Sequence, residues 1–235
     1  MNRTIVRLTA RALMGGKRVW LLGALGLVLV GIAVVTRVFV SAEASTVGLQ
    51  TVLFGTFLPL FGLVVGTGVI GPEIDDGSIV HLLAKPLSRH TVVQSKLAVA
   101  VLAIAGFAVV PTVLAAVVLR AAASTVLAFG VGALCAGAVY CVLFALLSIV
   151  TRHAVIVGLV YALVWESLVG SLVPGARNLS VQQWALSVTS SIAPDGLVTA
   201  HVGLGLAWVL VVVAFVGATW YAGRRLRVFV LAGDD

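Results

Sequence analysis

Six apolar runs, each close to the length that crosses a bilayer, leave this chain few folds to choose from. They lie at Val19–Phe39, Thr51–Ile70, Ser95–Leu119, Thr125–Val150, Ala154–Val173 and His201–Ala222. A membrane helix needs roughly 20 predominantly apolar residues. With 61% hydrophobic and only 10% charged residues among 235, the runs are too long and too many for one soluble core. The expected fold class is all-α: a single six-span domain over 19–222, an N-terminal segment 1–18 and a short tail 223–235.

Basic residues set the orientation. With the N-terminus inside, the cytoplasmic side collects Arg3, Arg7, Arg11, Lys17, Arg18, Lys85, Arg89, Lys96, Arg152, Arg224, Arg225 and Arg227, against Arg37, Arg120 and Arg177 outside. Twelve against three is a positive-inside pattern, and an even number of spans keeps both termini cytoplasmic. The net charge of +7 therefore reports topology and contact with membrane lipid. No basic patch with interleaved aromatics stands apart from the membrane edges, so nucleic acid is not an expected partner.

Ahead of the first run, Arg3, Arg7 and Arg11 recur every four residues while Ile5, Leu8 and Ala12 fall on another face. That pattern predicts a short interfacial helix; a basic tail that merely fixes topology is the plainer alternative. Ala42-Glu43-Ala44 fits a small-x-small cleavage pattern. The run before it exceeds the ~7–15 residues of a signal core, so a retained first helix is expected.

One polar stretch interrupts the apolar chain between the second and third runs. Asp75, Asp76 and Gly77 supply turn and helix-start chemistry. Ile79, Leu82 and Leu83 follow at i, i+3 and i+4 as a short apolar face, and Pro86 stops the helix. Thr91 and Gln94 fit capping-box spacing at the start of the third run. The reading is a short amphipathic helix on the cytoplasmic face, either resting on the inner leaflet or docking into a soluble partner.

The ordered set Glu73, Gly77-Ser78-Ile79, Leu82-Leu83, Pro86-Leu87-Ser88-Arg89 and Lys96 closely resembles the pattern joining spans two and three in ABC-2 type transporter permeases, and the six-span layout extends the likeness over the chain. The resemblance implies an ABC-2, type V exporter-like fold with a cytoplasmic coupling helix within 71–94. Its ATPase-coupling residues would be Glu73, Asp76, Gly77, Ile79, Leu82, Leu83, Lys85, Pro86 and Arg89. The implied partners are two copies of a cytoplasmic ABC ATPase and a second permease subunit, identical or homologous, in the plasma membrane of a prokaryote. ATP and magnesium would bind the ATPase, with no cofactor on this chain. Gly15-Gly16-Lys17-Arg18 lacks the spacing and hydroxyl residue of a phosphate-binding loop, so ATP hydrolysis falls to another polypeptide.

The segment 174–200 is the longest on the outer side. Val181, Trp184, Ala185, Val188 and Ile192 recur at helical spacing, predicting an amphipathic helix on the outer leaflet; in the resembling family, short helices here re-enter the membrane and cap the pathway. Inside the fifth run stands Glu166. A carboxylate at that depth usually faces a bundle interior, an aqueous cavity or a partner. It is a candidate pathway residue, or else a packing residue tying its span to a neighbour. Arg37 near the outer end of the first run reads as snorkelling.

Cys135 and Cys141 point in different directions around one helix, and His81, His90, His153 and His201 show no ligand spacing, so neither a disulfide nor a metal site is expected. No catalytic motif is present. Besides an exporter permease, the residues leave open a secondary transporter or channel using Glu166, and a non-transporting membrane anchor.

Overall fold

The computed structural model describes residues 3–75, 89–169, 173, 175–194 and 196–231, with no strand among them. Helix α1 (Arg3–Met14) leads into α2 (Lys17–Phe39). Then α3 (Ala42–Val52), a π-helical stretch Leu53–Phe57 and α4 (Leu58–Asp75) form one rod. The next comprises α5 (Arg89–Ile104), a π-helical stretch Ala105–Val109 and α6 (Val110–Val118). An unbroken α7 (Ala123–Val150) follows, and α8 (Ala154–Val160) continues into π-helical Tyr161–Val169. After a 3-10 turn at Arg177–Leu179 come α9 (Val181–Ser190) and α10 (Leu204–Leu231).

Among the described residues, five stretches are long and apolar enough to cross a membrane: Lys17–Phe39, Ala44–Ile74, Thr91–Val118, Ala123–Val150 and Leu204–Arg225. The fifth expected span falls on a shorter apolar helix, Ala154–Glu166. The chain is an all-helical, multi-pass membrane protein.

Two breaks in helical regularity have one cause. Each of the first two π-helical stretches ends two residues before a proline, Phe57 before Pro59 and Val109 before Pro111. Proline supplies no N–H to the carbonyl four residues back and its ring crowds that carbonyl. A wider π turn takes up the mismatch without ending the rod.

The central pair is α4 against α7. A Cβ on Gly62 would overlap Tyr140, and one on Gly66 would sit 2.6 Å from the Cys141 carbonyl. Glycine thus sets the backbone-to-backbone distance, the expected use of small residues at four-residue spacing. Phe54, Phe61, Phe129, Tyr140 and Phe144 fill the layer around this contact, all buried. By contrast, α2 and α10 expose Leu27, Val34, Val38, Val209, Val213 and Val216, walls suited to lipid.

Several boundaries differ from the sequence reading. The second rod starts at Ala42, nine residues before Thr51, because Ala42–Val52 is helical though less apolar. Helix α5 already runs at Arg89, so Thr91 lies inside it and does not cap it. Nothing breaks α10 at Ala222, and it reaches Leu231, with Arg224 over the Trp220 ring at 4.6 Å. In α1 the face turned to protein is Val6, Thr9, Ala10 and Leu13, while Leu8 is 57% exposed.

Candidate functional site

Polar side chains gather at opposite ends of the apolar bundle. The first node is built where α4 ends. Pro72 lies inside α4, so the Gly68 carbonyl loses its normal N–H partner. The Arg18 Nη1 donates to that carbonyl instead, at 3.0 Å. Gly68 permits the approach, since a Cβ there would lie 3.1 Å from the Arg18 Nη1 and 3.2 Å from Leu13. One residue on, the Val69 carbonyl accepts from the Lys96 Nζ at 2.9 Å.

The same ammonium pairs with Glu73 Oε1 at 2.5 Å, with side-chain exposures of 3% for Lys96 and 27% for Glu73. A buried ammonium on α5 is therefore held by both a carboxylate and a carbonyl of α4. Glu73 Oε2 is buried and has no partner among the described residues. This pair ties the two rods at the base of the polar stretch between them. Of the residues expected to couple to an ATPase, Glu73 stands in α4 and Arg89 opens α5. Asp76, Gly77, Ile79, Leu82, Leu83, Lys85 and Pro86 lie outside the described residues. Lys96 belongs to the resembling pattern, but nothing in sequence spacing pairs it with Glu73; Arg18 carried only a topology signal.

The second node forms around Glu166, which is 0% exposed. Its Oε1 accepts from the Tyr161 hydroxyl at 2.9 Å and the Val181 N–H at 3.1 Å. Its Oε2 accepts from the Ser180 hydroxyl at 2.5 Å and the Gln182 N–H at 3.2 Å. Four donors match the roughly four acceptor positions of a carboxylate. Two of them are backbone groups in the first turn of α9, whose N–H groups have no partner within the helix and whose dipole favours negative charge. Ser180 itself caps α9 by accepting from the Gln183 N–H at 3.4 Å. Glu166 thus fastens the fifth apolar helix to the start of α9.

Helix α9 does not lie on a surface. Val181, Gln183, Trp184, Ala185, Leu186, Ser187, Val188 and Thr189 are all buried, and the helix packs on α7 and α10. Trp184, one of the apolar residues of the expected outer-leaflet helix, is buried and donates to the Asn178 carbonyl at 2.8 Å. The Ser187 hydroxyl donates to the Val202 carbonyl, and Thr189 fits against Gly132 of α7. A mostly apolar cavity of 360 Å³ opens beside α9, between Phe144, Leu147, Tyr161, Val181, Trp184 and Ala214.

Arg37 caps rather than snorkels freely: its Nη1 donates to the Val118 carbonyl at the end of α6, at 2.8 Å. Among the described residues, no three His, Cys, Asp or Glu side chains gather as metal ligands, and Cys135 and Cys141 are free thiols.

Residues 16–176 match the family model described as ABC-2 family transporter protein. The match takes in the first node and Glu166 and stops before α9. No curated protein matches the chain.

Proposed function

Because this chain belongs to the ABC-2 family of transporter proteins and is a permease component of an ABC transporter, we propose that it lines the route as one half of a dimer and is driven by a separate cytoplasmic ATPase through the segment 71–94. Both termini and that segment are then cytoplasmic, and ATP with its magnesium binds the partner. The observation that carries this reading is the Glu73–Lys96–Val69 tie. A push on a loop moves two helices as a unit only if the helices are joined where the loop leaves them. Here the joint is a charge pair whose ammonium is buried and is also held by a carbonyl, which is stiffer than a fully exposed ion pair.

Ile79, Leu82 and Leu83 supply the apolar face that docks in the ATPase, with Asp76, Gly77, Lys85, Pro86 and Arg89 shaping its ends. Replacing Leu82 and Leu83 by Asp is expected to abolish co-purification of the ATPase while the protein still inserts. An ATPase that stays bound and remains stimulated in this variant would remove the segment from the mechanism.

The competing use of Glu166 as an ion-coupling carboxylate gains nothing from the geometry, since each of its four acceptor positions already faces a donor and a cation could bind only by displacing one or more of them. Glu166 instead positions α9 at the outer end of the route. The apolar cavity beside α9 suits a hydrophobic cargo.

A further inference from the structure

Where α2 begins, α4 ends and α7 turns into α8, a cleft of 220 Å³ is lined by Arg18, Gly71, Ser148, Arg152, His153 and Ile156. Two of its three hydroxyl protons are already committed. Ser148 donates to the Phe144 carbonyl at 3.0 Å, and Thr67, also in the wall, donates to the Leu63 carbonyl at 2.7 Å. What remains to recognise a ligand is a set of donors: the guanidiniums of Arg18 and Arg152, the imidazole of His153 and the hydroxyl of Thr151, whose oxygen accepts from the His153 backbone N–H at 3.2 Å. Arg18 spends one of its five N–H groups on Gly68 and is held in place by it. Among the described lining residues there is no carboxylate. Such a donor set selects an anion, and planar guanidiniums suit phosphate oxygens in particular.

A second feature narrows the source of that phosphate. The cleft does not end in solvent on every side: its wall continues through Ala154, Val155 and Ile156 onto the exposed face of α8, where Val155 and Ile156 are 56% and 64% exposed and Val157, Leu159 and Val160 are open as well. A phosphate seated between the arginines would therefore carry an attached acyl chain straight onto an apolar surface. Basic pockets between membrane helices on the cytoplasmic side are the physical pattern for anionic headgroups.

We propose that this cleft holds the phosphate of an anionic phospholipid drawn from the inner leaflet. Its place in that leaflet rests on the inward orientation proposed above; binding itself does not, so the two can fail separately. The lipid would sit at the α7–α8 turn, against the Arg18 that satisfies the Gly68 carbonyl near the Pro72 end of α4.

The test uses the purified full chain in detergent, titrated by native mass spectrometry with phosphatidylglycerol and with phosphatidylcholine of identical acyl chains. Phosphatidylglycerol is expected to bind at lower concentration. The preference should shrink on the order of fivefold for each arginine removed, in Arg152→Gln and in Arg18→Gln/Arg152→Gln. Arg152→Gln lies in an exposed turn and keeps the test readable if the Arg18 variant folds poorly. Arg224→Gln/Arg225→Gln removes equal charge from the same end of the bundle and should leave the preference intact. Equal binding of the two lipids, or equal loss in the control pair, overturns the proposal. Displacement of phosphatidylglycerol by inorganic phosphate at matching concentration would overturn the lipid assignment and leave a free-phosphate site.

Discussion

The two polar nodes bury charge in the same apolar bundle by opposite means. At the base of α4 and α5, Lys96 and Glu73 neutralise each other across two helices, with one carboxylate oxygen left unpartnered and Glu73 still 27% exposed. Beside α9, Glu166 has no cationic partner among its hydrogen bonds and is fully buried, its two oxygens satisfied by two hydroxyls and two backbone N–H groups. A pair between side chains joins elements that can part again at moderate cost, because both groups can be rehydrated at an edge. A carboxylate that completes the backbone hydrogen bonding of a helix start cannot be removed without leaving that helix start unsatisfied. The first arrangement suits a transmitting joint and the second a fixed anchor.

The largest effect is expected where that anchor is cut. Glu166→Leu leaves four donors without their acceptor, two of them backbone N–H groups, and orphaned buried donors cost about 1–3 kcal/mol each before relaxation. A loss on the order of 3 kcal/mol or more in stability, with proteolytic opening of α9, should follow in thermal and limited-proteolysis assays. Glu166→Gln is instructive because each oxygen takes one backbone N–H. Whichever way the amide is turned, its nitrogen faces the Val181 or the Gln182 N–H, so the isostere should also destabilise, by about 1–3 kcal/mol. If Glu166→Gln folds as well as the parent but transports differently, Glu166 belongs to the route and the contrast with the ion-pair node collapses.

The inner joint should respond differently. Lys96→Met leaves Glu73 near water, so stability should fall by no more than about 1–2 kcal/mol. Stimulation of the partner ATPase by cargo should fall much more, since the rods lose their tie. In the double variant Glu73→Gln/Lys96→Met, a coupling energy of about 1 kcal/mol is expected in unfolding measurements. Coupling near zero together with unchanged ATPase stimulation would mean that the pair is incidental to motion.

How far sequence carried the reading follows from the range of the forces concerned. Val19–Phe39 and Thr125–Val150 were legible to within two residues of α2 and α7, because hydropathy over one segment decides them. Ala42–Val52 was missed because hydropathy reports solubility in lipid, whereas a helix needs only the absence of a breaker. Helix α9 was legible, but the burial of Gln183, Ser187 and Thr189 was not, since their surroundings come from α7, α10 and the Val202 region. Glu166 drew notice by its depth, yet its partners lie 14 to 16 residues on, across a loop, apart from Tyr161. Pro72 was visible in sequence, while the use of its orphaned Gly68 carbonyl by Arg18, 50 residues away, was not.

The smallest effect is expected at Arg37, and it bears on the comparison because Arg37 offers a third way of placing charge near the outer end. Its guanidinium donates to the Val118 carbonyl, one of the last carbonyls of α6, which has no partner within its own helix, and the contact is exposed. Favourable charge at a helix C-terminus is worth about 0.3–1 kcal/mol when solvent shares the site. Arg37→Gln retains a donor of shorter reach and loses the charge, so a stability change under about 1 kcal/mol is expected, with no change in accessibility at either end of the bundle. Thermal unfolding in detergent measures the first, and single-cysteine labelling at Ser78 and Ser191 in a background lacking Cys135 and Cys141 measures the second. A loss as large as that of Glu166→Gln would show that water does not reach the Arg37 contact, and the division between a satisfied buried anchor and a solvent-shared cap would have to be redrawn.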